Sequence, residues 1–382
     1  MTRFGRLMRR RFSLEPGTAF LNHGSFGATP RAVAAAAERW RLRMEANPDR
    51  FVRRVLPRAL RAAAARLARF LNAREQDLAF VENATSGVNA VLRSLEFRRG
   101  DEILATTHTY NAVRQVLREV CRRTGAILVE APVVLPAGDE AALIAPLERK
   151  LGRRTRLVVL DHIASPTGLI FPVRRLAALA RAHGAKVLVD GAHAPGQLAL
   201  DIPSLGADWY TGNCHKWLFA PKGCGFLWAR RSAQAGIHPP VISHGYRKGF
   251  TAEFDWTGTR DYCAWLAAPA ALDFLAALGP ARVRDYNHRL AVHAATRLAA
   301  AWGTPLDGAP WLHGSLIAVR LPEALQRGDP SALASTLLER HRIVVAINPV
   351  AGALWARISA QIYNVPEDYD RLREAVLKMR DD

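Results

Sequence analysis

The stretch at residues 212–228, GNCHKWLFAPKGCGFLW, sets a lysine beside a histidine between two apolar, strand-like runs. It holds two of the chain's six lysines, whereas 47 residues are arginine. A chain that prefers arginine this strongly has a use for Lys216 that a guanidinium cannot meet. An ε-amine can lose its proton and condense with an aldehyde; arginine stays charged.

Working outward, short apolar runs alternate with helical patterns. Strand-like runs fall at 77–81, 102–106, 126–134, 156–163, 185–190, 207–212 and 223–229, with helical patterns at 85–95, 111–124, 139–151 and 172–184 between them. Strands alternating with helices of this length imply βαβ units and a mostly parallel sheet, flanked by helices. Chemistry in such sheets sits outside the carboxyl ends of the strands. After about Ala264 the texture changes to long Ala/Leu-rich helices and a few strands. The expected organisation is an N-terminal arm (1–30), a large α/β domain (31–263) and a smaller α+β domain (264–382).

Composition narrows the class. Apolar residues make up 49% of 382, enough for a substantial core, and no run reaches the roughly 20 uncharged apolar residues of a membrane span. The basic start lacks the apolar stretch of a secretory signal. Four cysteines without paired metal-ligand spacing suggest neither a disulfide framework nor a zinc site. The expectation is a cytoplasmic protein with no metal. A formal charge of +19 raises nucleic-acid binding as a remote alternative, but no helix-turn-helix, zinc finger or aromatic RNA-binding motif accompanies it. No G-x-G-x-x-G follows a strand, and P-loop and G-x-S-x-G patterns are absent.

The strand AKVLVD ends on Asp190, with His193 three residues on. Alone, Asp190 could be a helix cap or a loop acid. With Lys216 after the next strand, it completes the pair that pyridoxal 5′-phosphate (PLP) chemistry requires: an imine-forming lysine and a carboxylate for the pyridine nitrogen. ENATSGVNAV (82–91) places Ala84, Thr85 and Ser86 at a strand-to-helix junction that suits a phosphate, or an ordinary helix cap. THTYNA (107–112) offers His108 and Tyr110 at another strand end; either could stack on a ring, or simply pack.

These blocks, with LNHGSFGATP (21–30), VDGAHAPGQ (189–197), WTGTRDYCAW (256–265) and RISAQIYN (357–364), resemble class-V aminotransferase-like PLP enzymes of fold type I, in particular the isopenicillin N epimerase-like branch. The resemblance implies Lys216 as the Schiff-base lysine, Asp190 facing the pyridine nitrogen and His193 by the phenolic oxygen. It places His108 where related desulfurases stack a histidine. Ala84, Thr85, Asn213 and His215 would bind phosphate, and Thr257 and Thr259 would reach the phosphate of a neighbouring subunit in a homodimer. Arg357 would clamp the substrate carboxylate, with Asn22 and His23 lining the substrate side. Where relatives often set an asparagine against the ring, this chain reads Asp161-His162. The branch includes epimerases, C–S lyases and aminotransferases. Epimerisation or racemisation at Cα is the expected reaction, with β-elimination or transamination as alternatives. A cysteine desulfurase needs a nucleophilic cysteine in the C-terminal part, and none follows Cys263.

Overall fold

The computed structural model describes residues 4–306 and 308–381. Seven strands form the central sheet: β1 (Leu78–Val81), β2 (Glu102–Thr106), β3 (Ile127–Ala131), β4 (Thr155–Asp161), β5 (Lys186–Asp190), β6 (Trp209–Asn213) and β7 (Gly225–Ala229), in the order β1-β7-β6-β5-β4-β2-β3. Most of their residues are buried on both faces, as helix-covered parallel sheets require. Pairings from β6 through β5, β4 and β2 to β3 are parallel, whereas β7 runs antiparallel to both β6 and β1. The reason is length: the loop carrying Lys216 is too short for a crossover helix, so the chain must turn straight back. Two reversals restore the direction of β1. The ends of β1, β2, β4, β5 and β6 therefore all open onto one edge, and Asp161, Asp190 and Asn213 are the last residues of three neighbouring strands.

The smaller unit contains β8 (Leu316–Arg320), β9 (Ala346–Val350) and β10 (Ala353–Ser359) in the antiparallel order β9-β10-β8, packed with helices Pro280–Trp302, Pro330–His341 and Pro366–Asp381. The cores divide later than the change in sequence texture implied. Trp265, Leu266, Leu272 and Leu275 belong to the main core, because helices Cys263–Leu266 and Ala268–Leu278 pack on helices Arg31–Ala46 and Leu56–Phe70. The second core takes up the chain at about Leu290. The N-terminal arm is not a separate layer either. Met8 and Phe12 join the main core, Ala19 and Leu21 join the small one, and Ala19–Phe20 pairs in parallel with Ile343–Val344.

Two glycines set close approaches that fix the cleft. Gly87, one turn into helix Ala84–Ser94, lies on β6 so closely that a Cβ would fall 2.2 Å from Thr211 Oγ1. Gly27 has φ +70°, and a Cβ there would fall 2.0 Å from the carbonyl oxygen of His215. With ψ 155° this positive-φ, extended conformation is one that essentially only glycine adopts, and it costs another residue about 1–3 kcal/mol before any clash. Gly27→Ala is expected to destabilise the protein by about 3 kcal/mol or more in urea unfolding, with loss of whatever depends on Lys216 placement. A near-neutral result would show that the arm yields freely.

Candidate active site

Lys216 stands in the turn between β6 and β7, and its backbone is braced from beneath. His23 Nε2 lies 3.0 Å from the Lys216 carbonyl oxygen, while the Ala28 N–H donates to His23 Nδ1 at 3.3 Å. The imidazole's own proton is thus on Nε2, donated to the lysine carbonyl. Tyr363 Oη completes this buried contact, 2.8 Å from Nδ1, and burial pushes the His23 pKa down to about 3.

The side chain of Lys216 reaches His193, with Nζ 3.0 Å from Nε2. The direction of that hydrogen bond follows from the other ring nitrogen. Trp217 Nε1, which can only donate, is 3.3 Å from His193 Nδ1. Nδ1 therefore accepts and carries no hydrogen. A neutral imidazole then keeps its proton on Nε2, which faces both Lys216 Nζ and, at 3.3 Å, Ser165 Oγ, so the close approach of Lys216 favours its uncharged amine. Burial, and secondly the Arg357 charge, lower the Lys216 pKa to about 7, against a weaker opposing pull from Asp190. About half of the amine is then free base at neutral pH, against roughly one part in a few thousand for an ordinary lysine. His193 itself is held well below its usual range, by burial first and the Lys216 charge second.

Two acids close the floor. Asp161 and Asp190 are in-register partners on β4 and β5, only 3% and 5% exposed. Asp190 Oδ1 accepts from the Ala192 N–H at 2.9 Å. Asp161 Oδ2 is sealed from solvent without a hydrogen-bond partner. Burial raises the pKa of both; for Asp161 the neighbouring Asp190 adds to it.

At the opposite end, helix Ala84–Ser94 starts behind β1. Asn83 Oδ1 caps it by accepting from the Ser86 N–H at 2.9 Å, and Asn213 Oδ1 accepts from the Ala84 N–H at 2.8 Å. Thr85, Ser86, Asn213 and His215 line the space in front of this helix start. His215 donates from Nδ1 to the Cys224 carbonyl at 3.0 Å and has its pKa lowered to about 4, chiefly by burial. An anion beside its Nε2 would draw a second proton onto the ring.

The resulting cleft has two lobes, of about 600 and 550 Å³, which share Ser25, Phe26, Tyr110, Ser165 and Lys216. The first holds the acids and the helix start. The second holds Arg357 on β10, with Asn348, Asn111 and Arg114. The Arg357 guanidinium donates to Ser165 O (2.6 Å), Asn22 Oδ1 (3.0 Å) and Ser25 Oγ (2.7 Å). Its pKa is lowered to about 10 by burial, so it stays charged at neutral pH.

Comparison with known proteins fixes the family. The family model described as Aminotransferase class-V matches residues 20–372. The chain belongs to the class-V aminotransferase family. It is 37% identical to the isopenicillin N epimerase of Amycolatopsis lactamdurans, over 97% of both chains. It is 31% identical to an L-cysteine desulfhydrase of Arabidopsis thaliana, over 96% of this chain and 88% of that one. Among solved structures, a lysine-to-alanine mutant of C-DES with glycine covalently linked to its PLP cofactor superposes with a TM-score of 0.82 at 22% identity, covering 96% and 98% of the two chains.

PLP is the cofactor of this class-V enzyme, and the site fits it. A neutral amine, a buried strand-end carboxylate and a helix start with hydroxyl and amide groups border one cavity. Lys216, Asp190, His193, Ala84, Thr85, Asn213, His215, Tyr110 and Asp161 all line that cavity. Others do not. His108 is 1% exposed and turned away, with Nε2 3.2 Å from the Val133 carbonyl and Nδ1 3.4 Å from Thr167 Oγ1. Tyr110, 45% exposed, is the aromatic residue of that turn that faces the cleft. His23 braces the lysine backbone and lines neither lobe; Asn22 acts by holding Arg357. Thr257 and Thr259 lie outside the cleft of their own chain. His162 turns its Nδ1 to Tyr210 Oη at 2.9 Å. Sequence reasoning missed Ser25 and Phe26, in the short helix His23–Phe26, and Ser165, in the turn after β4; none has a side chain whose type signals a role by itself.

The amine state makes a pH prediction. The rate at which cofactor-free protein takes up PLP, followed by its visible absorbance, should rise with pH through about 7 as Lys216 loses its proton. Arg357→Gln removes a nearby positive charge and should move that midpoint upward. An unmoved midpoint would detach Arg357 from the lysine.

Proposed function

We propose that the enzyme is an amino-acid epimerase or racemase, removing the Cα proton of an α-amino acid and returning one to the opposite face. The observation that carries this reading is the neutral Lys216 amine, held by His193 and Trp217 between a carboxylate clamp and the cofactor lobe. PLP, when bound, supplies a sink for the negative charge left on Cα.

The chain's own residues do the rest. Arg357 takes the substrate carboxylate by its planar fork, preset by Ser165, Asn22 and Ser25. Lys216 Nζ, in its free-base form, accepts the Cα proton. His193 Nε2–H fixes the lone pair of that amine, and Trp217 fixes His193. Asp190 holds a negative charge at the strand end. Tyr110, whose phenol borders both lobes, is the candidate to return a proton from the other side.

The epimerase relative supports this reading because it matches nearly end to end. The desulfhydrase relative favours a second reading, β-elimination of a thiol on the same scaffold. No cysteine lines either lobe, so persulfide formation on a protein thiol is not proposed. We infer also that the enzyme works as a homodimer. Thr257 and Thr259 are free of their own cleft, and Val241 and Ile242, which follow Pro240 at the rim of the first lobe, are more than half exposed.

Incubation with a panel of amino acids in heavy water should give Cα-deuterated substrate with inverted configuration and no keto acid, read by mass and chiral chromatography. Keto acid and released thiol would establish elimination instead. Lys216→Ala should abolish both exchange and the visible band of the bound cofactor. Retention of exchange in that variant would remove the lysine from its role.

A further inference from the structure

A second carboxyl group, that of Asp161, adjoins Asp190 at the neighbouring strand end. We propose that Asp161 is a positioning residue that holds a proton, so that the Asp161–Asp190 pair presents one negative charge, not two, to the cofactor lobe.

The geometry forces an asymmetry. The two residues are in-register neighbours on parallel strands at the same strand end, so both side chains leave the sheet on the same side. Two carboxylates this close and this deeply buried do not both ionise; one proton belongs to the pair. Asp190 is the better home for the charge. It accepts a backbone hydrogen bond from the Ala192 N–H at 2.9 Å. Asp161 has one oxygen that is buried and unpartnered.

The groups on the surrounding elements do not reverse this. From the turn after β2, the Thr109 hydroxyl and Tyr110 N–H favour a charged Asp161, but less than burial and Asp190 oppose it. Arg114, on the helix that follows, also favours the charge, but it is already committed to Glu130 at 2.8 Å. His108 from the same turn is neutral, its pKa lowered to about 4 by burial. On β4's continuation, His162 is likewise neutral and faces Tyr210. On β6, the Tyr210 phenol keeps its proton, raised by burial and by Asp190. His193 and Lys216 are engaged with each other.

The consequence is charge balance. A ring nitrogen that binds a proton brings one positive charge, which a singly charged pair matches. A doubly charged pair would leave a surplus anion buried without a counter-charge.

Infrared spectroscopy of the full-length protein tests the proposal, with and without cofactor, so its outcome is independent of which reaction is catalysed. At about pH 8, where Asp255 (raised by burial to about 6) has ionised, wild type should show the carbonyl band of a protonated buried carboxyl group. Asp161→Asn should lose it. No band in wild type, or a band that survives in Asp161→Asn and disappears in Asp190→Asn, overturns the proposal. Thermal melting gives a second readout. A carboxyl whose folded pKa is raised contributes stability at low pH and loses it as pH climbs through the folded value. Asp161→Asn should therefore melt above wild type near pH 8, with the gap closing towards about pH 4. A variant that melts below wild type near pH 8 would mean that a charged Asp161 makes a stabilising contact, and would defeat the idea.

Discussion

The hydrogen bond from His193 to Lys216 is the constraint on which the rest of the site depends. An indole that can only donate fixes one nitrogen of the imidazole, and the imidazole then favours the uncharged amine. Trp217, His193 and Lys216 form a hydrogen-bonded chain that orders the amine, with Ser165 Oγ as a second neighbour of the imidazole proton. Burial and the Arg357 charge make the uncharged amine accessible near neutrality. The tryptophan adds directionality, so the lone pair has a defined orientation before any substrate arrives.

The sheet exists, from the viewpoint of this chemistry, to gather groups that water would otherwise keep apart. Parallel strands bring their carboxyl ends to one edge, where buried acids, an amide and a helix start can face one cavity. The single antiparallel strand β7 lets the lysine turn be short, hence rigid. On the other side, β10 brings Arg357 across from a second core, and the ligand-binding volume forms where the two cores meet.

Much of this was legible in the sequence. An acid ending an apolar strand and a lysine in an arginine-rich chain stand out because burial and scarcity make them costly or unusual. Seven strands and their intervening helices were also readable, because strand and helix periodicities differ. What could not be read was orientation within a turn. His108 and Tyr110 are two residues apart, and only the backbone path decides that the histidine bonds Val133 while the tyrosine faces the cleft. His23 looked like a cleft residue because it sits in a motif, yet its function is to brace a carbonyl. Ser25 and Ser165 gave no signal, since a serine acquires a role only from what folds next to it. The division between cores was misplaced because alanine-rich helices pack equally well in either.

The arm that carries His23 and Gly27 has a mechanical meaning. Residues just before them are stitched in parallel to Ile343–Val344 of the small unit, while their own contacts grip the peptide of the lysine in the large one. A swing of the C-terminal lobe would drag this tether and shift Lys216. Cleft aperture and base alignment are therefore geared together, as a door is to its latch.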